Sequence, residues 1–388
     1  MATQEYKLEF DDPSNLFPQQ KIYDNQKVVV LSDWDGTITN MDSNDWMTDN
    51  IGYNPYWVEG QTVDAETTAK GGVEGRSRRI EENVIILRQK ETAALAGGEA
   101  EIRQEHTFNF LFKKMMDSVA KKIPLEECAQ LLRANIKLDT GFTQFYNWCE
   151  QSGVPVVIVS SGMKPTIRAV LSNLVKPEQV AQIQIISNNV VKCDKEKDGQ
   201  HWRIVYIHDN ENYSSADGKI HGHDKSQAIL PYVSRDKATR PTLFFFGDGV
   251  SDMSAAKHAD VLFVKLNEGT HNDLMRFCRQ EGIHHIRVRS FAEALPVVQR
   301  VKACGEDDAR REATARVEVA KAMIGQSVED VQVGIAEAEE ASKAGDKEAV
   351  GRAMGVVKRA EEALEKAKAT LEESVKVLLE SARKGVEV

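Results

Sequence analysis

The sequence predicts an α/β fold built on a mostly parallel sheet, and three short segments carry that expectation. Residues 28–31 run into Ser32-Asp33-Trp34-Asp35-Gly36-Thr37, residues 153–159 into Ser160-Ser161-Gly162, and residues 243–246 into Gly247-Asp248-Gly249-Val250-Ser251-Asp252. Strands covered by helices on both faces read as such unbroken apolar runs, without polar alternation. Open α/β sheets bind ligands beyond the carboxyl ends of their strands, so the polar residues after each run are candidates for chemistry.

The first run delivers two carboxylates onto a Gly-Thr turn. Asp33 and Asp35, spaced i and i+2, lie on one side of an extended strand, and Trp34 between them points away into packing. The second run ends in hydroxyls and a glycine with free backbone N–H groups. A lysine then stands in His223-Asp224-Lys225-Ser226, where the apolar pattern of Gln227, Ala228, Ile229 and Leu230 suggests a helix start. The third run ends in Asp248 and Asp252. Carboxylates, a hydroxyl, backbone donors and one ammonium suit a hard divalent ion and a phosphoryl group. Each group taken alone has a plainer reading. Ser160 and Ser161 serve a turn, Lys225 is solvated, and Asp248 caps a helix. His221 and His223 resemble a metal pair but lack a further Cys or His nearby.

The phrases Asp-Gly-Thr-Ile-Thr, Val-Ser-Ser-Gly-Met, Gly-His-Asp-Lys-Ser and Gly-Asp-Gly-Val-Ser-Asp, in this order, resemble the haloacid dehalogenase-like (HAD) superfamily of phosphatases. Within it the chain is most similar to the phosphoserine phosphatase-like branch, which includes fungal sugar and polyol phosphatases and ketopentenyl-phosphate phosphatases of methionine salvage. The resemblance implies an α/β Rossmannoid parallel sheet, an enlarged helical cap and Mg²⁺-dependent hydrolysis of a small phosphomonoester. A sugar or polyol phosphate is the first expectation; phosphoserine or a ketopentenyl phosphate comes next.

By that resemblance Asp33 is the nucleophile that forms an aspartyl-phosphate. Asp35 is the acid that protonates the leaving group and then the base that activates water. Ser160, Ser161, Gly162 and Lys225 bind the phosphoryl oxygens. Asp33, the main-chain carbonyl of Asp35, Asp248 and Asp252 form the metal set. Asp42, Asn44, Asp45 and Lys164 are candidates for substrate specificity, with a helix N-cap as the alternative for the Asp42 cluster. An acid two residues after the nucleophile fits phosphatases and phosphomutases and argues against dehalogenases and cation-pumping ATPases. A phosphomutase using the same intermediate, or a silent scaffold that binds partners through its tail, are the alternatives.

Composition is that of a globular protein, 41% hydrophobic and 28% charged. A net charge of −10 argues against nucleic acid or anionic membrane as partner. No run of about 18 apolar residues predicts a membrane span. The polar first 26 residues lack a signal peptide's apolar core, and five scattered cysteines suggest reduced thiols in the cytoplasm.

Domain expectations follow the motifs. Residues 1–26 are an N-terminal extension, 27–43 and 138–302 the core, and 44–137 a helical cap with an inserted segment at about 57–105. In the cap, helices are expected over 44–51, 80–95, 107–119 and 125–135, and Gly71, Gly72, Gly75, Gly97 and Gly98 are expected to break the middle. The densest basic patch is Arg76, Arg78 and Arg79. Residues 303–388 read as a helical bundle. Gly325 and Ser327 mark a helix stop and a new N-cap, and Gly345 and Asp346 mark another, giving two shorter helices and one of about 40 residues or 60 Å. Regular caps and an alanine-rich, charge-dense surface suggest a designed fusion, with a natural helical tail as the alternative. The bundle would serve a homo-oligomer or a protein partner.

Overall fold

The computed structural model describes residues 8, 10–57, 65–95, 104–173, 177–207, 223–236, 240–267 and 272–384. Its strands are β1 (Val28–Ser32), β2 (Val156–Met163), β3 (Gln184–Lys192), β4 (Trp202–Val205), β5 (Thr242–Gly247), β6 (Val261–Lys265) and β7 (Ile286–Val288). Helices α1 (Ser43–Met47), α2 (Ala65–Leu95), α3 (Gln104–Ala120) and α4 (Leu125–Asn135) lie between the first two strands. They are followed by α5 (Phe142–Gln151), α6 (Lys164–Leu171), α7 (Pro177–Gln182), α8 (Lys195–Asp198) and α9 (Ser226–Val233). The last are α10 (Met253–Ala256), α11 (Asp273–Glu281), α12 (Phe291–Lys302), α13 (Asp308–Lys343) and α14 (Lys347–Lys384).

The strands form one seven-stranded sheet in the order β4-β3-β2-β1-β5-β6-β7. The pairs β2–β3, β1–β5, β5–β6 and β6–β7 are parallel, and β4 runs antiparallel to β3. By contacts the chain divides into two compact units. One comprises Met1–Lys21, Asp33–Asp139 and Val157–Ala228; the other comprises Ile22–Ser32, Thr140–Val156 and Ile229–Val388.

In the second unit every residue of β1, β5 and β6 is buried, as the unbroken apolar runs require. Phe246 stacks on Phe263 and on Phe291, each at 4.5 Å between ring centroids, and Phe145 meets Phe246 edge-on at 5.5 Å. This aromatic cluster holds α5 and α12 beside the sheet. Ser32 pairs with Phe246 in the β1–β5 register, so the two strands end level with one another.

The tail is a helical hairpin of two long helices, not three. The helix α13 runs unbroken through Gly325 and Ser327, because its face continues along α14. Burial of Ser327 and the close approach of Gly334 to the Val357 side chain, 2.8 Å from a hypothetical Cβ, compensate for helix-weakening residues. The turn at Gly345 has φ +76°, and the Asp346 carboxylate accepts from the Glu348 and Ala349 backbone N–H groups, so this expected stop and cap are borne out. The first half of α13 also belongs to the core of this unit. Ala313, Ala315, Val317, Val319, Ala320 and Met323 are buried, Arg311 donates to Thr242 Oγ1, and Arg279 and Arg287 pair with Asp330.

The helices after Asp42 in the first unit follow the expected pattern with one correction. Gly71, Gly72 and Gly75 do not break the chain but lie inside α2, and Gly97 and Gly98 fall outside the described residues. Their lack of a side chain is used for close packing. A Cβ at Gly75 would come within 1.9 Å of the Asp49 carbonyl oxygen, and one at Gly71 within 2.4 Å of Asn54 Oδ1. After α1 the chain forms a π-turn, Thr48–Gly52, whose end is held by Lys122 Nζ donating to the Ile51 and Asn54 carbonyls. Such π-turns cluster at functional positions.

Candidate active site

Within the first unit, Asp33 and Lys225 form a buried ion pair. Lys225 Nζ lies 2.5 Å from Asp33 Oδ1, and their side chains are 1% and 7% exposed. A lysine desolvated to this degree is rare unless paired, so the solvated-surface reading of Lys225 does not hold. Lys225 sits in the turn just before α9, where Asp224 Oδ1 accepts from the Ser226 backbone N–H. The neighbouring His223 is fully buried, and its Nδ1 lies 2.9 Å from the Ser160 carbonyl, tying the lysine's segment to the end of β2. His221, the other half of the His pair, lies outside the described residues.

Asp35 is held by the start of α1. Ser43 N–H donates to Oδ1 at 2.7 Å, and Asn44 Nδ2 donates to Oδ2 at 2.7 Å. Burial, and next the Asp42 carboxylate, push the Asp35 carboxyl well above its usual range, against the opposing pull of Ser43 and Lys225. A carboxyl so biased toward its protonated form is suited to donate a proton.

The end of β2 stands against these groups. A Cβ on Gly162 would lie 3.3 Å from Asp35 Oδ2 and 3.4 Å from Asn44 Nδ2. The Gly162 N–H donates to Ser160 Oγ, and Asn188 Nδ2 donates to the Ser161 carbonyl. Ser161 Oγ and Asn44 Oδ1 are buried without a protein partner. Orphaned polar atoms of this kind are costly unless a ligand or water answers them.

In the second unit Asp252 is fully buried and organises the turn after β5. Its Oδ2 accepts from the Asp248 and Gly249 backbone N–H groups at 2.9 and 3.0 Å. Gly247 is required beneath it, since a Cβ there would meet the Asp252 carboxyl carbon at 2.5 Å. Asp248 and Asp252 are the carboxylates that this unit brings to the expected metal set, and Asp33 is the one that the first unit brings. An all-carboxylate oxygen set fits a hard ion such as Mg²⁺ and not a soft one.

The specificity candidates are engaged within the protein. Asp42 is the N-cap of α1, accepting from the Asn44 and Asp45 backbone N–H groups. Asn44 is committed to Asp35 through Nδ2, Asp45 pairs with Arg79, and Lys164 pairs with Asp11 at 2.7 Å. Sequence reasoning missed the two supports of this arrangement, Arg79 and the His223 bond to Ser160. Arg79 is visible in sequence only as part of a basic patch, because its partners lie 30 and 34 residues away.

A family model described as haloacid dehalogenase-like hydrolase matches residues 30–257, and the chain belongs to that family. It is 34% identical over 268 residues to Pdp3-interacting factor 1 of Schizosaccharomyces pombe, covering 69% of this chain and 93% of that protein. It is 31% identical over 283 residues to the polyol phosphate phosphatase PYP1 of Saccharomyces cerevisiae, covering 71% and 95%. A 2-hydroxy-3-keto-5-methylthiopentenyl-1-phosphate phosphatase of Geobacillus kaustophilus is 25% identical over 179 residues, covering 45% and 70%.

Proposed function

We propose that this hydrolase releases phosphate from a small phosphorylated polyol or sugar through a phosphorylated Asp33. Phosphomonoester hydrolysis follows from the family and from the phosphatases among its relatives. The observation that carries the finer reading is the buried Asp33–Lys225 pair, with Asp35 separately held two residues on.

In this reading Lys225 keeps the Asp33 carboxylate ionised and oriented, and its remaining N–H groups bind phosphoryl oxygens. Asp33 attacks phosphorus in line, the bond to the leaving oxygen breaks, and Asp35 gives that oxygen its proton. Asp35, now ionised, takes a proton from the water that attacks phosphorus, and Asp33 is released. One carboxyl serves both steps because each leaves it in the form the next requires. Ser160, Ser161 and Gly162 offer hydroxyl and backbone donors to the phosphoryl group. Asp33, Asp248, Asp252 and the Asp35 carbonyl would hold Mg²⁺, which supplies charge neutralisation at the phosphoryl oxygens.

A hydroxyl-rich leaving group is supported by Asn44 Oδ1, a buried acceptor left without a protein donor beside Asp35, and by the resemblance to PYP1. The test is phosphate release from matched polyol phosphates, sugar phosphates, phosphoserine and a ketopentenyl phosphate, with and without EDTA. Polyol or sugar phosphates should give the highest kcat/KM, and Mg²⁺ should restore activity removed by EDTA. Isomerised product without free phosphate would instead assign a phosphomutase.

A further inference from the structure

The inserted helix α2 carries Arg79 into a double clamp. Its Nε and Nη2 donate to Asp49 at 2.6 and 3.1 Å, and Nη1 and Nη2 reach Asp45 at 3.0 Å each. Both carboxylates are thus gripped through two oxygens by one planar guanidinium, an arrangement lysine cannot reproduce. Asp45 lies on α1 and Asp49 one turn later in the π-turn. The glycines of α2 let the helix settle directly on this segment, with Gly75 against the Asp49 carbonyl and Gly72 against Asn50. The same short segment begins with Ser43 and Asn44, the donors to the Asp35 carboxylate. One rigid path therefore leads from the insertion through Arg79 and α1 to Asp35. On the described residues, α1 is too short to fix its own orientation by helix propensity.

We propose that Arg79 is a positioning residue for the proton transfers of Asp35, so that the inserted helix is part of the catalytic apparatus and not an ornament of the cap. The inference rests on Asp35 acting as the acid and base, as set out above. It makes a demand that fold stabilisation alone does not. Loss of Arg79 should hurt substrates in proportion to their need for a proton on the leaving oxygen. An alkyl phosphate expels an alkoxide and needs that proton, whereas p-nitrophenyl phosphate expels a stable phenolate and does not.

The experiment compares wild type, Arg79→Gln, Arg79→Lys and Asp35→Asn, each with enzyme in excess over substrate. It follows leaving-group release in the first turnover from glycerol 3-phosphate and from p-nitrophenyl phosphate. With active enzyme in saturating excess the amplitude is set by the substrate, so a fraction that fails to fold changes neither amplitude nor rate constant. General acid catalysis contributes about 10²- to 10⁴-fold, so misplacing the acid should slow glycerol release about 10- to 100-fold in both Arg79 variants. Release of p-nitrophenolate should stay within about threefold of wild type, and KM for glycerol 3-phosphate should change far less than kcat. Asp35→Asn should show the same selectivity more strongly.

Equal slowing with both substrates in the Arg79 variants, or full activity of Arg79→Lys, would overturn the inference while leaving Asp35 its role. Absence of selectivity in Asp35→Asn itself would overturn the reading of Asp35, and the inference with it.

Discussion

Replacing Lys225 by methionine removes one charge from a buried pair and leaves the other behind. At 2.5 Å and an effective dielectric of about 20, the gross attraction is about 7 kcal/mol. Desolvation of both ions offsets much of this, but the two are already desolvated, with side chains 1% and 7% exposed. Truncating one partner of such a pair costs about 3–5 kcal/mol, mostly the penalty of an unpaired buried carboxylate. Lys225→Met should therefore lower unfolding free energy by about 3–5 kcal/mol in urea titrations run with EDTA, so that no ion substitutes for the ammonium. Adding Asp33→Asn removes the stranded charge. The double variant should be at least about 2 kcal/mol more stable than additivity of the single changes allows. Phosphate release by Lys225→Met should fall about 10²- to 10³-fold when corrected for folded fraction, the range for losing one preorganised donor at a transition-state oxyanion. Additive single and double variants would falsify the pairing, and unaltered turnover would remove Lys225 from the chemistry.

Three further outcomes are expected. Gly75→Ala drives a methyl group into the Asp49 carbonyl; overpacking of this kind costs about 1–3 kcal/mol, read as a lower urea midpoint, and an unchanged midpoint would show that α2 does not sit against the π-turn. His285 is buried, and burial first, with Arg287 and Arg279 assisting, lowers its pKa to about 4, against the Ile283 carbonyl and Asp330, which raise it. The unfolded chain binds this proton more readily, so stability should fall as pH drops from about 6.5 to 4, by up to about 3 kcal/mol in total. His285→Asn should flatten that slope; an equally steep acid limb would exonerate His285. Ending the chain at Cys304 strips Ala313, Val317, Ala320 and Met323 from their unit, and should lower the thermal midpoint by many degrees, whereas wild-type melting would make the hairpin a dispensable appendage.

Much of the sheet was legible because its strands are buried on both faces, which leaves unbroken apolar runs ending in functional side chains. The runs before Asp33, Ser160 and Asp248 correspond to β1, β2 and β5. The helix α4 was equally legible, since Pro124 precedes it and its apolar spacing is regular. Other features depended on contacts between distant residues. Gly71, Gly72 and Gly75 read as breakers because local propensity ignores a neighbour, the π-turn, that needs a smooth helix surface. Gly325 read as a stop for the same reason, although its helix is carried through by packing along α14. For Asp42, Asn44 and Asp45 the sequence left substrate contact and a helix N-cap both open; Asp42 does cap α1, while the Asn44 amide reaches Asp35 and the Asp45 carboxylate receives Arg79, contacts that local sequence does not report. No spacing rule reports a partner thirty or more residues away.

The most direct test is the covalent fate of Asp33. The enzyme should be mixed rapidly with a polyol phosphate and Mg²⁺, quenched in acid within a turnover, and its peptides weighed. The peptide containing Asp33 should gain one phosphoryl group, transiently and only while substrate remains, and Asp33→Asn should abolish both the gain and phosphate release. Steady turnover with no phosphorylated peptide at any quench time, or full activity in Asp33→Asn, would contradict covalent transfer to this carboxylate.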